Sequence, residues 1–345
     1  MREHNTQAGR NQKERLMKIL FIIDPVAQLD PEFDTTLGLL RVFDSRGCQT
    51  WTCDTGDLAG ERGGVFATAS LTVPRKGFKY RLAKKTRVNL FDFQLILMRK
   101  EPPFDAHYIT STYLLDFVSS RVLVSNRPSG IRNTNEKVGI LNFSQWIPET
   151  IVTADVSQVV QFQAGLKTDL VLKPLDLKGG EGIVRLRRKE KNYGKIIMRA
   201  TESGKKMIMA QEFLQAPEVK GDKRILVLDG EILTAYEKHF KKGEFRANIS
   251  LGGTIHPTEL SREEKALVKA LKPYLLREGL HLTGIDVMMG KLIEINVTCP
   301  AGIMEAKLLY PRSELVEAWA DLLEKKVREK KTGNISHHWA RTPYK

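Results

Sequence analysis

The chain has 345 residues, 41% apolar and 28% charged, a globular composition long enough for two or three folded units rather than one core. No run of 18 apolar residues is present, so no membrane partner is expected. The net charge of +14 sits mainly at the ends: residues 1–18 carry +3 and residues 325–345 carry +6. The body is only mildly basic and has no stretch of basic residues interleaved with aromatics, so nucleic acid is not an expected partner. Residues 1–16 lack the apolar core of a signal peptide and read as a flexible basic tail, which makes the cytoplasm the expected location. Cys48, Cys53 and Cys299 are odd in number and have neither metal-type nor redox-type spacing, as reduced, non-structural thiols would.

In chain order, Lys18–Ile23 is a short continuous apolar run ending at Asp24-Pro25, the pattern of a parallel strand buried on both faces. A helix is predicted over Thr35 to Arg46, stopped by Gly47. Leu95–Met98 is a second buried strand, leading into Arg99-Lys-Glu-Pro-Pro-Phe-Asp105. Ligands of open α/β sheets bind beyond the carboxyl ends of strands, which makes Asp24 and Arg99 candidates for substrate contact, although strand ends also need polar residues simply to leave the core. Val122–Ser125 closes this first unit, and the turn cluster Asn126-Arg-Pro-Ser-Gly130 reads as a linker.

The second unit is expected to open with a polar helix holding Asn135-Glu-Lys137, followed by strands at Thr150–Thr153 and Leu170–Pro174. Lys173 ends the latter and precedes the glycine-rich Leu175–Gly182, whose backbone N–H groups could approach phosphate oxygens with a lysine alongside. No Gly-Lys-Ser/Thr opens a helix there, so the segment is not a P-loop. Lys206–Leu214 reads as a strand entering a linker, and Gly221–Leu228 as another strand turned by Asp229-Gly230, with Arg224 on its functional face. Residues 238–256 read as a long Lys/Gly-rich loop carrying Arg246 and Asn248. Ser261-Arg-Glu-Glu264 matches a capping box, and Leu267, Leu271, Tyr274 and Leu275 give the helix an apolar face up to Gly279. A last helix from about Ser313 buries Leu315, Val316, Trp319, Leu322 and Leu323.

Between these helices lies Thr283–Pro300. Glu294 and Asn296 share one face of a strand by alternation, and a three-residue loop at Met289–Lys291 would set Asp286 opposite Glu294. Two carboxylates and an amide oxygen suit Mg²⁺, which commonly bridges protein to nucleotide phosphates; a half-buried strand without any ion can show the same alternation.

The order Lys137, Lys173, glycine loop, Glu212-Phe-Leu214, Arg224, Arg246-Ala-Asn248 and the Asp286/Glu294/Asn296 hairpin resembles the ATP-grasp superfamily. Within it the chain is most similar to the prokaryotic glutathione synthetase family, through Ile96–Asp105, Asn135-Glu-Lys137, Leu172-Lys-Pro-Leu-Asp176, Gly221-Asp-Lys-Arg224 and Glu294-Ile-Asn-Val-Thr298, over roughly residues 17 to 325. The resemblance implies mixed α/β and α+β architecture: a parallel-sheet pre-ATP-grasp domain followed by a two-lobed ATP-grasp domain. The units it implies are an N-terminal substrate domain 17–125, an ATP-binding lobe 126–210 and a metal-binding lobe 211–325, with 326–345 a second basic tail. It implies that Lys137 and Lys173 contact ATP phosphates beneath Gly179, Gly180 and Gly182, with Gln211, Glu212, Phe213, Leu214 and Asp222 completing the nucleotide site. Asp286, Glu294 and Asn296 would hold Mg²⁺, with Mn²⁺ as an alternative. Arg224 and Arg246 would act on the transferred phosphoryl group, and Asp24, Arg99, Lys100, Asn248, Thr298 and Cys299 would lie at the substrates. The implied reaction makes an acyl phosphate from γ-glutamylcysteine and ATP, which glycine displaces, and a homo-oligomer is expected.

The chain departs from the family pattern at Glu237-Lys-His-Phe240, at Arg246-Ala-Asn248, at Gly252-Gly-Thr254 and at Thr298-Cys-Pro-Ala301. Two loop arginines are thereby missing, and Lys238 can replace one only as a point charge. Cys299 reads either as a nucleophile or as a small buried residue. Two other functions remain open at this stage: a related carboxylate–amine ligase with another peptide or protein substrate, and a nucleotide- or nucleic-acid-binding protein without ligase activity.

Overall fold

A computed structural model of the chain describes residues 16–75, 79–215, 220–241 and 252–333. Lys18–Ile22 lies at the heart of the first sheet, parallel to Gln49–Cys53 on one side and Leu95–Met98 on the other, with Leu123–Ser125 parallel beyond. Alternation sends Ile19 and Phe21 to one face and Leu20 and Ile22 to the other, all wholly buried, which is why the run is continuously apolar. One face is covered by the helix Ala106–Ser119 through Leu115 and Val118. The other is covered by the helices Thr35–Ser45 and Leu315–Lys331, where Trp319 is 1% exposed. Burying that indole stabilises the fold by roughly 3 kcal/mol, so the end of the chain returns to the first sheet. The last helix runs past residue 325 and buries Val327, so residues 326–331 are helix rather than tail.

Two antiparallel sheets follow. In the first, Leu170–Pro174 and Ile208–Glu212 lie between Val184–Leu186 and Thr150–Thr153. The second runs Thr254–Pro257, Glu231–His239, Lys220–Leu228, Leu282–Met288, Lys291–Asn296. The helix Arg262–Glu278 has the expected capping box at Ser261/Glu264 and a left-handed Gly279 at its end. It packs Leu267, Leu271 and Leu275 into one core with Ile285, Ile295 and Val297.

Four sequence expectations change. First, Asn126–Gly130 is not a linker: Pro128 starts the helix Pro128–Asn133, and Asn126 is 6% exposed. The Asn126 amide donates to Leu282 O and Val297 O and accepts from Leu282 N, so polar composition here marks a buried anchor rather than a solvent turn. Gly130 passes so close to the helix Arg262–Glu278 that a Cβ would lie 2.0 Å from Glu278 O. Asn126→Ala leaves these backbone groups unpaired and is expected to lower the unfolding free energy by roughly 3 kcal/mol in urea titration; a loss under about 0.5 kcal/mol would refute the anchor.

Second, Asn135–Lys137 is not helical; it lies between Asn133 and the 3₁₀ stretch Val138–Trp146, with Asn135 Oδ1 accepting from Lys137 N and Val138 N. Third, the hairpin turn is two residues, Met289 and Gly290, both at positive φ, and a bulge at Ile293 restores the Asp286–Glu294 pairing. Fourth, Lys238 and its neighbours belong to the strand Glu231–His239 rather than to a loop. Arg246 and Asn248 lie outside the described residues.

Candidate active site

The second antiparallel sheet builds the centre of the site by register alone. Tyr236 pairs with Arg224, Arg224 with Asp286, and Asp286 with Glu294, which gives one row of side chains across four strands. Arg224 grips Asp286 with two bonds, Nε to Oδ1 at 2.7 Å and Nη2 to Oδ2 at 3.0 Å, the fork geometry particular to arginine. Its Nη1 donates to Ala301 O, tying the segment after the hairpin to the same row. Lys238 bridges Asp222 and Asp286. Burial pushes the Asp286 carboxyl up, but Arg224 and Lys238 more than offset this and hold it well below the usual carboxylate range. Asp222, which the family resemblance placed at the nucleotide, is 7% exposed and is the partner of Lys238.

Glu294 faces the other lobe, where Lys137 Nζ lies 3.0 Å from its Oε1 and also donates to Leu177 O in the glycine loop. Burial depresses the Lys137 ammonium, yet Glu294 and Glu136 beside it raise it overall, so it stays charged. The Asn296 amide nitrogen donates to Gly284 O and to Asp286 Oδ2, which turns its carbonyl oxygen the other way. Asp286, Glu294 and that carbonyl are hard oxygen donors, which suit Mg²⁺ better than a softer ion, and both Asp286 oxygens also accept from Arg224, Lys238 and Asn296. Among the described residues there is no group of three or more His, Cys, Asp or Glu that could hold a metal ion.

Lys173 donates to Gln211 Oε1 at 2.7 Å, and Gln211 in turn donates to Thr150 Oγ1. Burial presses the Lys173 ammonium down from 10.5 to about 8. Between these values the unfolded chain carries the extra proton, so this group adds native stability as pH rises through that window. If Lys173 contacts ATP phosphates, as the family resemblance implies, that contact weakens over the same range. The expected result is an ATP Kd about tenfold higher at pH 9 than at pH 7, a slope that Lys173→Arg removes. A flat profile in the parent protein would contradict it.

Gly179, Gly180 and Gly182 all adopt positive φ, as a tight loop requires. The loop is tied to the first domain by Lys178 and Glu101 at 2.9 Å and by Phe104 N donating to Asp176 O. In the segment that the family resemblance assigns to adenine, the Glu212 and Phe213 N–H groups donate to Glu149 O and Asp169 O.

On the first domain, Lys100 bridges Asp24 and Asp54, each at 2.8 Å, at the carboxyl ends of three adjacent parallel strands. Asp54 was missed in the sequence, although it follows Gln49–Cys53 as Asp24 follows Lys18–Ile22 and the same strand-end rule points to it. Arg99 is 4% exposed and donates to Thr36 Oγ1 and Pro300 O, so it clamps the Thr298–Ala301 segment. Cys299 Sγ donates to Arg99 O, and burial pushes its thiol far above the ordinary range, which fits a packed residue and not a nucleophile.

Comparison with known proteins agrees with this layout. D-cycloserine synthetase DcsG superposes at TM-score 0.61 with 15% identity over 88% of this chain and 99% of its own. A RiPP-associated ATP-grasp ligase from Chryseobacterium gregarium, solved with ADP and a leader and core peptide, superposes at 0.60 with 17% identity over 90% and 97%. Family models for the prokaryotic glutathione synthetase N-terminal domain and ATP-grasp domain match residues 17–132 and 136–310. Glutathione synthetase of Parasynechococcus marenigrum is 39% identical over 85% of this chain and 94% of its own length, and that of Shewanella oneidensis 36% over 86% and 94%. The shared fold, the family models and the curated relatives together define an ATP-dependent carboxylate–amine ligase of the ATP-grasp class. The chain belongs to the prokaryotic glutathione synthetase family.

Proposed function

We propose that this chain joins γ-glutamylcysteine to glycine, consuming one ATP and releasing ADP and phosphate. The observation that carries the reading is the unbroken row Arg224–Asp286–Glu294 meeting Lys137 from the other lobe, in a chain whose family membership spans both domains. Asp286, Glu294 and Asn296 would hold Mg²⁺, which when bound neutralises charge on the β- and γ-phosphates. Lys137 and Lys173 bind phosphate oxygens from the side of the glycine loop, and Leu214 offers adenine a backbone donor beside the engaged Glu212 and Phe213.

The dipeptide's carboxylate attacks the γ-phosphorus; the new P–O bond forms as the bond to the ADP oxygen breaks, giving an acyl phosphate. Glycine's amine then adds to the acyl carbon, loses a proton, and phosphate leaves with its bonding pair. Arg224 and Lys238 supply fixed positive charge where these oxygens become more negative; Lys238 does so as a single point charge. Asp24, Asp54 and Lys100 offer opposite charges to a zwitterionic dipeptide end.

We further assign a substrate domain from residue 17 to 125, an ATP lobe from 126 to 210 and a metal lobe from 211 to 325, with the last helix, Leu315–Lys331, closing back on the first sheet. No described helix is long and apolar enough to cross a membrane. A cytoplasmic, homo-oligomeric enzyme suits this reading. The test is a matrix of carboxylates against amines with product identified by mass. The tripeptide glutathione should form from γ-glutamylcysteine and glycine at rates above every other pair, and a faster pair would replace this substrate assignment.

A further inference from the structure

Glu136 is a buried carboxylate, 9% exposed, that the reaction as described leaves unused. The strand Lys291–Asn296 is the outer strand of its sheet and pairs on one side only, with Leu282–Met288. Along its open side runs Asn135-Glu-Lys137. The Glu136 carbonyl accepts from Ile295 N at 2.9 Å. Its Oε1 accepts three bonds at once, from Val297 N at 2.8 Å, Thr298 N at 3.0 Å and Thr298 Oγ1 at 2.8 Å. Lys137, the next residue, holds Glu294.

The tripeptide therefore grips the chain on both sides of Asn296, while Asn126 takes the Val297 carbonyl from the opposite side. Beyond Thr298 the chain continues to Pro300 and Ala301, whose carbonyls accept from Arg99 and Arg224. A single oxygen that satisfies three donors is served best by an ionised carboxylate, whose bonds are charge-assisted. Glutamine would offer a weaker acceptor, and its NH₂ group would need acceptors of its own in a buried place. Burying a negative charge this close to Glu294 is unfavourable and therefore calls for a compensating role.

We propose that Glu136 is a positioning residue that fixes Asn296 and Thr298 relative to each other, so that the metal-and-nucleotide side and the acceptor side of the site stay aligned. A misplacement of about 1 Å at such a junction costs on the order of a hundredfold in rate, so the larger effect belongs in turnover. The proposal rests on the ligase reading above, and its test is built to separate the two.

Wild-type protein, Glu136→Gln, Glu136→Asp, Thr298→Val and the Glu136→Gln/Thr298→Val pair are compared by thermal midpoint, by metal-free ADP affinity, by Mn²⁺ affinity of the ADP-loaded protein in EPR titration, and by kcat and KM. Glu136→Gln is expected to lower the midpoint by only a few degrees, to keep metal-free ADP affinity, to bind Mn²⁺ about tenfold more weakly and to lose about a hundredfold in kcat. Glu136→Asp, one methylene short, should not rescue it. Thr298→Val alone should weaken Mn²⁺ binding about threefold, and should add nothing in the Glu136→Gln background, because both act through one cluster of bonds. Mn²⁺ affinity and kcat within about twofold of wild type in Glu136→Gln, or losses that merely follow a fallen midpoint and a weakened ADP affinity, would overturn the proposal. If Glu136→Gln does not fold, Thr298→Val decides: unchanged Mn²⁺ affinity overturns it. If wild-type protein fails to ligate, the substrate reading falls, while the Mn²⁺ titration still judges Glu136.

Discussion

Asp286→Asn is expected to lower ligation by about 10³-fold or more and also to destabilise the protein, the only one of these site substitutions to do both. The reason lies in what Asp286 faces. Arg224 spans both of its oxygens and Lys238 reaches one, while all three side chains are largely enclosed by the sheet. Removing the negative charge leaves the Arg224 guanidinium buried against a neutral amide that can accept only one of its two bonds. Breaking one partner of such a pair costs roughly 3–5 kcal/mol, and a loss near the low end is expected because Lys238 keeps Asp222. The pH dependence has a definite sign. A carboxyl held below its unfolded value contributes stability in full above about pH 4 and loses it as pH falls toward its folded value, so acid unfolding of the parent should be steeper than that of Asp286→Asn. Urea titrations of both proteins at pH 7 and pH 3 check this; equal acid sensitivity would contradict it.

Glu294→Gln is expected to remove about 10³-fold of activity while leaving the fold intact. The Glu294 side chain stands on the outer strand, 24% exposed, and its protein partner Lys137 keeps a second bond to Leu177 O. The isosteric amide preserves packing, so the thermal midpoint should move by no more than a few degrees. The substitution takes away one of two carboxylates in the metal set, and with it the charge that pairs Lys137 across the lobes. Metal-free nucleotide binding should survive and Mg²⁺-dependent binding should weaken. Full activity in Glu294→Gln would remove the metal assignment. These two expected results would divide the row by function, with Asp286 needed for stability and chemistry and Glu294 for chemistry alone.

The sequence made the row legible because strand alternation is a local rule. Glu294 and Asn296 two residues apart had to share a face, and the turn chemistry of Met289-Gly290 had to bring Asp286 near. The Asp286–Glu294 pairing came out as expected for an unexpected reason, a bulge at Ile293 in place of a third turn residue. The buried first sheet was equally readable from Lys18–Ile22 and Leu95–Met98, whose two-sided burial leaves no polar alternation to confuse.

What the sequence hid were residues whose partners lie far along the chain. Asn126 looked like turn material because Asn, Pro, Ser and Gly share that composition; only the approach of Leu282 and Val297, more than 150 residues later, makes it an anchor. Lys238 looked like part of a polar loop, yet two buried carboxylates from the next two strands of the sheet stabilise its charge. Arg99 reads as a substrate candidate because it ends a parallel strand; its bonds to Thr36 and Pro300, far along the chain, also make it a clamp on the Thr298–Ala301 segment.

If the row works as proposed, a carboxylate attacks the γ-phosphate of ATP before an amine attacks the carboxyl carbon. The most direct measurement supplies γ-glutamylcysteine labelled with ¹⁸O in its cysteinyl carboxylate, together with ATP, Mg²⁺ and glycine, and reads the released phosphate by mass. One ¹⁸O should appear in phosphate for each amide bond formed, with no phosphate released when the dipeptide is omitted. Amide product accompanied by unlabelled phosphate would contradict the account.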